Sequence, residues 1–206
     1  AALTARGLWG GAPVGNGAAP CVAPAKPAPK LVLKWSPILP VPAGVPPHPT
    51  SHHTLGRPVA EWTYRDAAGA CLLIVQRYDT PDGGKEFRPL TWCRGADGRT
   101  AWARQSVPAP TPLYGLDRLA ARPDAQVLLV EGEKCADAAA RLFPGLVCVT
   151  WLGGASATAR ADLSPLSGRR VVVWPDNDKS GRQAALGLLT RLDGITAAVR
   201  VARIPD

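Results

Sequence analysis

The chain has 206 residues, enough for one large domain or two small ones, and carries a formal net charge of +8, with 18 of its 24 basic residues being arginine. That balance favours a polyanionic partner such as nucleic acid, because guanidinium groups meet phosphates bidentately. No apolar run reaches membrane-spanning length, and the Ala/Gly/Pro-rich start lacks the charged and apolar regions of a secretory signal, so no membrane partner is expected and the cytoplasm is the expected setting. The five cysteines (Cys21, Cys71, Cys93, Cys135 and Cys148) are odd in number, scattered and without a C-x-x-C pair. They are expected to be the reduced, mostly buried thiols of a cytosolic protein. No methionine occurs, so the sequence is expected to be a piece of a longer or processed chain.

Residues 1–54 read as a Pro/Ala/Gly-rich linker, largely extended or disordered, with one proline-rich run at 24–29 and another at 37–49. His48, His52 and His53 fall in this stretch, and their setting among prolines and polar residues points to a solvated linker rather than a metal site. Residues 55–112 form a small basic β-rich subdomain. Glu61 to Arg65 is strand-like, Asp66-Ala67-Ala68-Gly69 is a turn, and Cys71 to Tyr78 is the return strand. Pro81-Asp82-Gly83-Gly84 turns into Phe87–Trp92, and Ala96-Asp97-Gly98 turns into a fourth strand around Ala101–Gln105. The pattern is an antiparallel meander.

From 113 to 206 the grammar is α/β. Leu113 to Leu119 reads as a short amphipathic helix. The strand Val127–Val130 precedes a helix over Glu133–Leu142, with Cys135, Ala138, Ala139 and Leu142 on its apolar face. Leu146–Trp151 and Val171–Trp174 are further strands. A helix opening near Ser180, a plausible N-cap, carries Ala185, Leu188, Leu189 and Leu192 on one face, and Thr196–Ile204 is the last strand. Continuous apolar strands alternating with helices imply a parallel, Rossmann-like sheet.

Two strands of this sheet end in carboxylates: Val130-Glu131-Gly132-Glu133, and Trp174-Pro175-Asp176-Asn177-Asp178. Ligands of open α/β sheets gather at the carboxyl ends of strands. Glu131, Asp176 and Asp178 on one edge make a negative site that calls for a cation, and oxygen ligands favour Mg²⁺ or Mn²⁺ over zinc. Glu131 would complete the metal shell or act as a general base. Lys179 and Arg182 bring positive charge to the start of the following helix, whose amino end attracts phosphate. Carboxylates, Mg²⁺ and basic residues together suit phosphoryl or nucleotidyl transfer.

Glu131-Gly132 after an apolar strand, Gly153-Gly154-Ala155, and Asp176-x-Asp178-x-Ser180-Gly181 resemble the TOPRIM domain shared by bacterial-type primases, type IA and type II topoisomerases and certain nucleases. Pro112-Leu113-Tyr114-Gly115-Leu116, Trp174-Pro175-Asp176-Asn177-Asp178 and the meander with Gly83-Gly84-Lys85-Glu86-Phe87 resemble more specifically the primases of phages and mobile elements. The resemblance implies a TOPRIM domain over 113–206. It would act as the RNA-polymerase-like catalytic domain of a DNA primase, joining ribonucleoside triphosphates into short primers on a single-stranded DNA template, with a replicative helicase fused or separate. Glu131 would be the catalytic acid-base residue and a metal ligand, with Asp176 and Asp178 holding Mg²⁺ beside it. Lys134, Lys179 and Arg182 would bind nucleotide, and Arg77, Lys85 and Arg88 would contact nucleic acid. Trp62, Tyr64 and Trp92 could stack bases, with core packing the expected role. Cys135 stands where many such primases carry an acidic residue, so a reduced metal shell is implied. A non-catalytic single-strand-binding module and a TOPRIM nuclease are the alternatives.

Overall fold

A computed structural model describes residues 35–202; Cys21, the first proline-rich run and residues 203–206 lie outside the described residues. Five short strands build an antiparallel sheet: β1 (Ser36–Pro37), β2 (Ala60–Arg65), β3 (Cys71–Asp79), β4 (Lys85–Arg94) and β5 (Thr100–Ala103). Their order is β1-β4-β3-β2, with β5 also pairing with β4. The β2–β3 turn closes because Asp66 Oδ1 accepts the N–H groups of Ala68 and Ala70, while Gly69 takes a φ of 86° that side chains disfavour. Alternation then sends Trp62, Tyr64, Leu73 and Val75 to one side, where they form a core with Val107 and Leu152.

The second proline-rich run is extended, as its prolines dictate, but it is tied down rather than free. It forms a strap along the meander. Fully buried Gln76 donates to Pro49 O at 2.8 Å, Trp102 Nε1 to Pro46 O at 2.8 Å, and Arg104 to Ser51 O at 2.9 Å. Gln76 Oε1 in turn accepts from Tyr78 and Arg104, so every polar group of this buried amide is engaged. The histidines of the strap are used locally: His52 Nδ1 accepts from Thr54, and His48 reaches Glu61 at 3.4 Å.

The second sheet is made of β6 (Leu113–Tyr114), β7 (Val127–Val130), β8 (Val147–Trp151), β9 (Arg170–Trp174) and β10 (Ala198–Val201). Its order is β10-β9-β7-β8-β6; the first four strands are parallel and β6 is antiparallel to β8. Strands β7 and β8 are buried at every position, which is why they read as unbroken apolar runs. Helix α3 (Lys179–Leu192) packs Ala184, Ala185, Leu188 and Leu192 on one face of the sheet against Val127, Leu129, Val171 and Val173. Helix α2 (Glu133–Leu142) packs Ala136 and Ala139 on the other against Leu128, Val130 and Cys148. The protein is thus mixed α/β with two sheets. No helix among the described residues is long and apolar enough to cross a membrane.

Three sequence expectations change. Leu113-Tyr114 is a strand, and helix α1 (Leu116–Ala121) begins only after Gly115, whose φ of 90° breaks the helical path. The apolar face of α2 is rotated from the expected one: Glu133, Ala136 and Ala139 are buried, whereas Cys135 is exposed and Leu142 is 73% exposed. The cause is polar, because the meander offers hydroxyl and indole donors to Glu133 and Asp137, and that docking turns the helix. Finally, α3 is capped by Asp178 and not by Ser180.

Candidate active site

Parallel pairing sets Val130 opposite Trp174, so the chain leaves β7 into Glu131 and β9 into Pro175-Asp176 side by side on one edge. Glu131 is half-buried. One of its oxygens, Oε1, accepts the Ala155 N–H at 3.0 Å. That N–H is aimed by the Gly153-Gly154 turn, both of whose glycines hold positive φ and which is braced by Trp151 Nε1 donating to Gly154 O at 2.7 Å. The other oxygen, Oε2, is buried without any hydrogen-bond partner. Burial, and then the negative charge of Asp176, push the Glu131 carboxyl above its usual range; Asp178 adds to this and the Ala155 N–H opposes it. Glu131 therefore faces like charge with an oxygen to spare.

The Asp-x-Asp element is built on the start of α3. Asp178 Oδ1 accepts from Gly181 N at 2.7 Å and from Ser180 Oγ at 2.8 Å, which holds its carboxyl below the usual range. Asp176 is exposed. Gly181 is required by close approach: a Cβ there would stand 2.4 Å from Asp176 O and 2.8 Å from Asp176 N. The Ser180-Gly181 pair thus has a local meaning, donors to the Asp178 cap and clearance for the acid-bearing loop. Thr150, buried in β8, accepts the Gly132 N–H at 2.9 Å and fixes the turn out of Glu131. Nothing in the sequence singled Thr150 out.

Of the basic residues, Lys134, Lys179 and Arg182 are exposed at the starts of α2 and α3, with Arg182 donating to Asn177 Oδ1 at 3.1 Å. Cys135 is beside the acids: burial, the charge of Asp176 and that of Glu131 raise its thiol, against Lys134. The meander residues divide. Strand alternation and register set Arg77 and Lys85 on the same side as exposed Phe87, which stacks on Trp62 at 6.4 Å. Arg88 falls on the opposite side, paired with Glu86. Arg77 is itself engaged by Asp79 at 2.9 Å. Trp62, Tyr64 and Trp92 are buried and serve packing.

Among the described residues no three His, Cys, Asp or Glu side chains gather closely enough to hold a metal by themselves. One oxygen of Asp178, Oδ1, is committed to capping α3. An oxygen-ligated cation nevertheless fits. Glu131 Oε2 is an orphaned acceptor, the charge of Asp176 raises the cost of ionising Glu131, and Mg²⁺ is commonly held by one or two carboxylates with phosphates and water completing its shell.

A different pair of carboxylates was missed by sequence reasoning. Glu133 Oε1 accepts from the buried Tyr64 hydroxyl at 2.7 Å, while Asp137 accepts from Trp62 Nε1 at 3.1 Å and Tyr114 OH at 3.0 Å. Arg118 lies 3.4 Å from Asp137 and 4.7 Å above the Tyr114 ring. These contacts seam the meander to α2. Their signal was present as acids at i and i+4 on a helix otherwise facing a core.

Comparison with solved structures finds chains similar at low identity. A DNA primase domain from Pseudomonas aeruginosa is 19% identical with a TM-score of 0.48, covering 76% of this chain and 48% of that one. The E. coli primase catalytic core is 20% identical with a TM-score of 0.45, covering 71% and 44%. The primase fragment of the bacteriophage T7 primase-helicase is 17% identical with a TM-score of 0.41, covering 70% and 52%. The chain thus spans about half the length of these solved chains. No curated protein matches it. A family model spans residues 62–177, from β2 through Asn177, and by that match the chain belongs to the family described as a domain of unknown function, DUF6371.

Proposed function

We propose that this chain is the catalytic part of a DNA primase, with a TOPRIM domain over 113–206 and a basic β-rich subdomain over 55–112. It would join ribonucleoside triphosphates on a single-stranded DNA template in the cytoplasm, beside a replicative helicase, fused or separate. The observation that carries this reading is the edge itself: Glu131 with an unpartnered buried oxygen, raised by the charges of Asp176 and Asp178 at the end of the adjacent parallel strand.

Glu131 and Asp176 would hold Mg²⁺ (or Mn²⁺), with Asp178 shaping the loop and lending its free oxygen. When bound, the ion supplies charge neutralisation at the phosphates. The chain's own residues do the rest. The Gly153-Gly154 turn fixes the Glu131 carboxyl, and its raised affinity for a proton suits it to take one from an attacking hydroxyl. Lys134, Lys179 and Arg182 line the starts of two helices, where nucleotide phosphates would be favoured by both side-chain charge and the helix dipoles. Arg77 and Lys85, with Phe87 on the same side, would meet the template, while Arg88 on the other side would serve at most a strand that wraps the meander.

A second reading is favoured by the exposed Cys135 and by the absence of a gathered triad among the described residues: a single-strand-binding module without catalysis. Dinucleotide synthesis on single-stranded DNA with Mg²⁺ decides between them. Synthesis by the wild-type chain that disappears in Glu131→Gln and Asp176→Ala is the expected result. Template binding without synthesis in all three supports the module, and cation-dependent template cleavage supports a nuclease.

A further inference from the structure

The parallel sheet is covered unequally on its two faces. α3 lies over β9 and β10 on one side. On the other, α2 lies over β8 and β7 and reaches β9 at its end, where Phe143 meets Trp174. Alternation along β9 buries Val171 and Val173 toward α3 and turns Arg170, Val172 and Trp174 to the α2 side. Register with β10 sets Ala198 beside Arg170 and Arg200 beside Val172 on that same side.

Among the described residues the result is a sheet face that no helix covers, with a definite chemistry. Trp174 is 40% exposed and Phe143 36%, their ring centroids 5.8 Å apart at an interplanar angle of 47°. Arg170 and Arg200 are exposed beside them, Arg141 is exposed at the adjoining end of α2, and neither β9 nor β10 contains an acidic residue. Paired exposed aromatic rings indicate an interaction site, and cations beside them without an ion-pair partner select a polyanion. A second copy of this chain docked by twofold symmetry would set these arginines against the same arginines, which disfavours it.

We propose that this face, over β9 and β10 on the α2 side, is a docking surface for single-stranded nucleic acid, with Trp174 and Phe143 stacking bases and Arg170 and Arg200 holding phosphates. It is distinct from the basic side of the meander. Because β9 runs on into Pro175 and Asp176, a strand lying here would end at the acidic edge. The choice of DNA as ligand rests on the proposed reading of the chain as a template-directed enzyme; the geometry of the face does not depend on the metal site.

The test is fluorescence anisotropy of a labelled oligothymidylate of roughly 20 nucleotides against the full chain in EDTA, repeated across salt concentrations. Trp174→Ala is expected to weaken binding about tenfold, since a base–aromatic stack is lost, and Trp174→Phe to restore most of it. Arg200→Glu, on the exposed last strand, is expected to weaken binding and lower the salt slope by about one. Variants that bind as the wild type does overturn the proposal. So does a wild-type dimer in sedimentation that Trp174→Ala dissolves with oligonucleotide affinity unchanged, which would assign the face to a second copy. With no divalent cation present, failure here leaves the acidic-edge reading untouched, and failure of synthesis leaves this one untouched.

Discussion

Glu131 and Glu133 stand two residues apart, yet their surroundings make them different groups. Glu133 points into the seam with the meander, is 6% exposed, and has its oxygen filled by the Tyr64 hydroxyl. Glu131 stands at the strand edge with an oxygen that nothing fills. Burial raises both carboxyls, and each has a hydrogen-bond donor against the rise and an acid that adds to it, but the order differs. After burial the Tyr64 hydroxyl acts most strongly at Glu133, with Asp137 adding less, whereas Asp176 acts most strongly at Glu131, with the Ala155 N–H opposing less. A carboxylate whose partners are all supplied by the protein holds structure together; one left with a free acceptor among like charges is available for a cation and a proton.

The sharpest way to break that contrast is kinetic. Glu131→Gln is expected to reduce cation-dependent dinucleotide synthesis by about a hundredfold or more, while Glu133→Gln leaves it within a few-fold, both read as initial rates on one template. Equal losses would erase the distinction. Next comes stability. Tyr64→Phe strips Glu133 of its buried donor and is expected to cost about 1–3 kcal/mol in denaturant unfolding. An unchanged midpoint would mean that the seam contributes nothing.

Cys135→Asp tests whether the edge is short of a ligand. It is expected to tighten Mn²⁺ binding by about tenfold in a calorimetric titration, because a carboxylate then stands beside Asp176 in place of a neutral thiol. No gain in affinity would show that Cys135 lies outside the ion's reach. The smallest effect is on the apo chain. A carboxyl raised in the fold destabilises the fold once ionised, so Glu131→Gln should match the wild type below the ordinary glutamate range and exceed it progressively as pH rises to neutrality. Solvent access to the side chain limits the gain to no more than about 1 kcal/mol. A difference in melting temperature that does not vary with pH would dissociate it from ionisation.

Much of this architecture was legible in residue order. The strands β7, β8 and β9 announced themselves as apolar runs, and the acids after β7 and β9 drew notice because ligands of such sheets gather at the carboxyl ends of strands. The turn glycines were equally visible. What escaped was decided by contacts distant in sequence. The facing of α2 depends on Trp62 and Tyr64, some 70 residues earlier, and no local periodicity contains that information. Tyr114 was hidden for the same reason, because pairing with β8 made a strand of a segment whose own pattern was helical. Cap choice at α3 was ambiguous locally, as Asp178 and Ser180 are both good caps and only the hydrogen bond to Gly181 N separates them.

Arg191, near the far end of α3, donates to the backbone carbonyls of Thr158 and Ala161. Those carbonyls belong to the segment that begins at Ala155, whose N–H grips Glu131, and the same helix begins on Asp178 with Gly181 pressed against Asp176. One helix therefore acts as a tie-bar between the two halves of the acidic edge. The β7–β9 pairing sets Glu131 and Asp176 side by side, and α3 braces both sides of that arrangement from one rigid element, so the edge is held from its flanks as well as from the sheet beneath it.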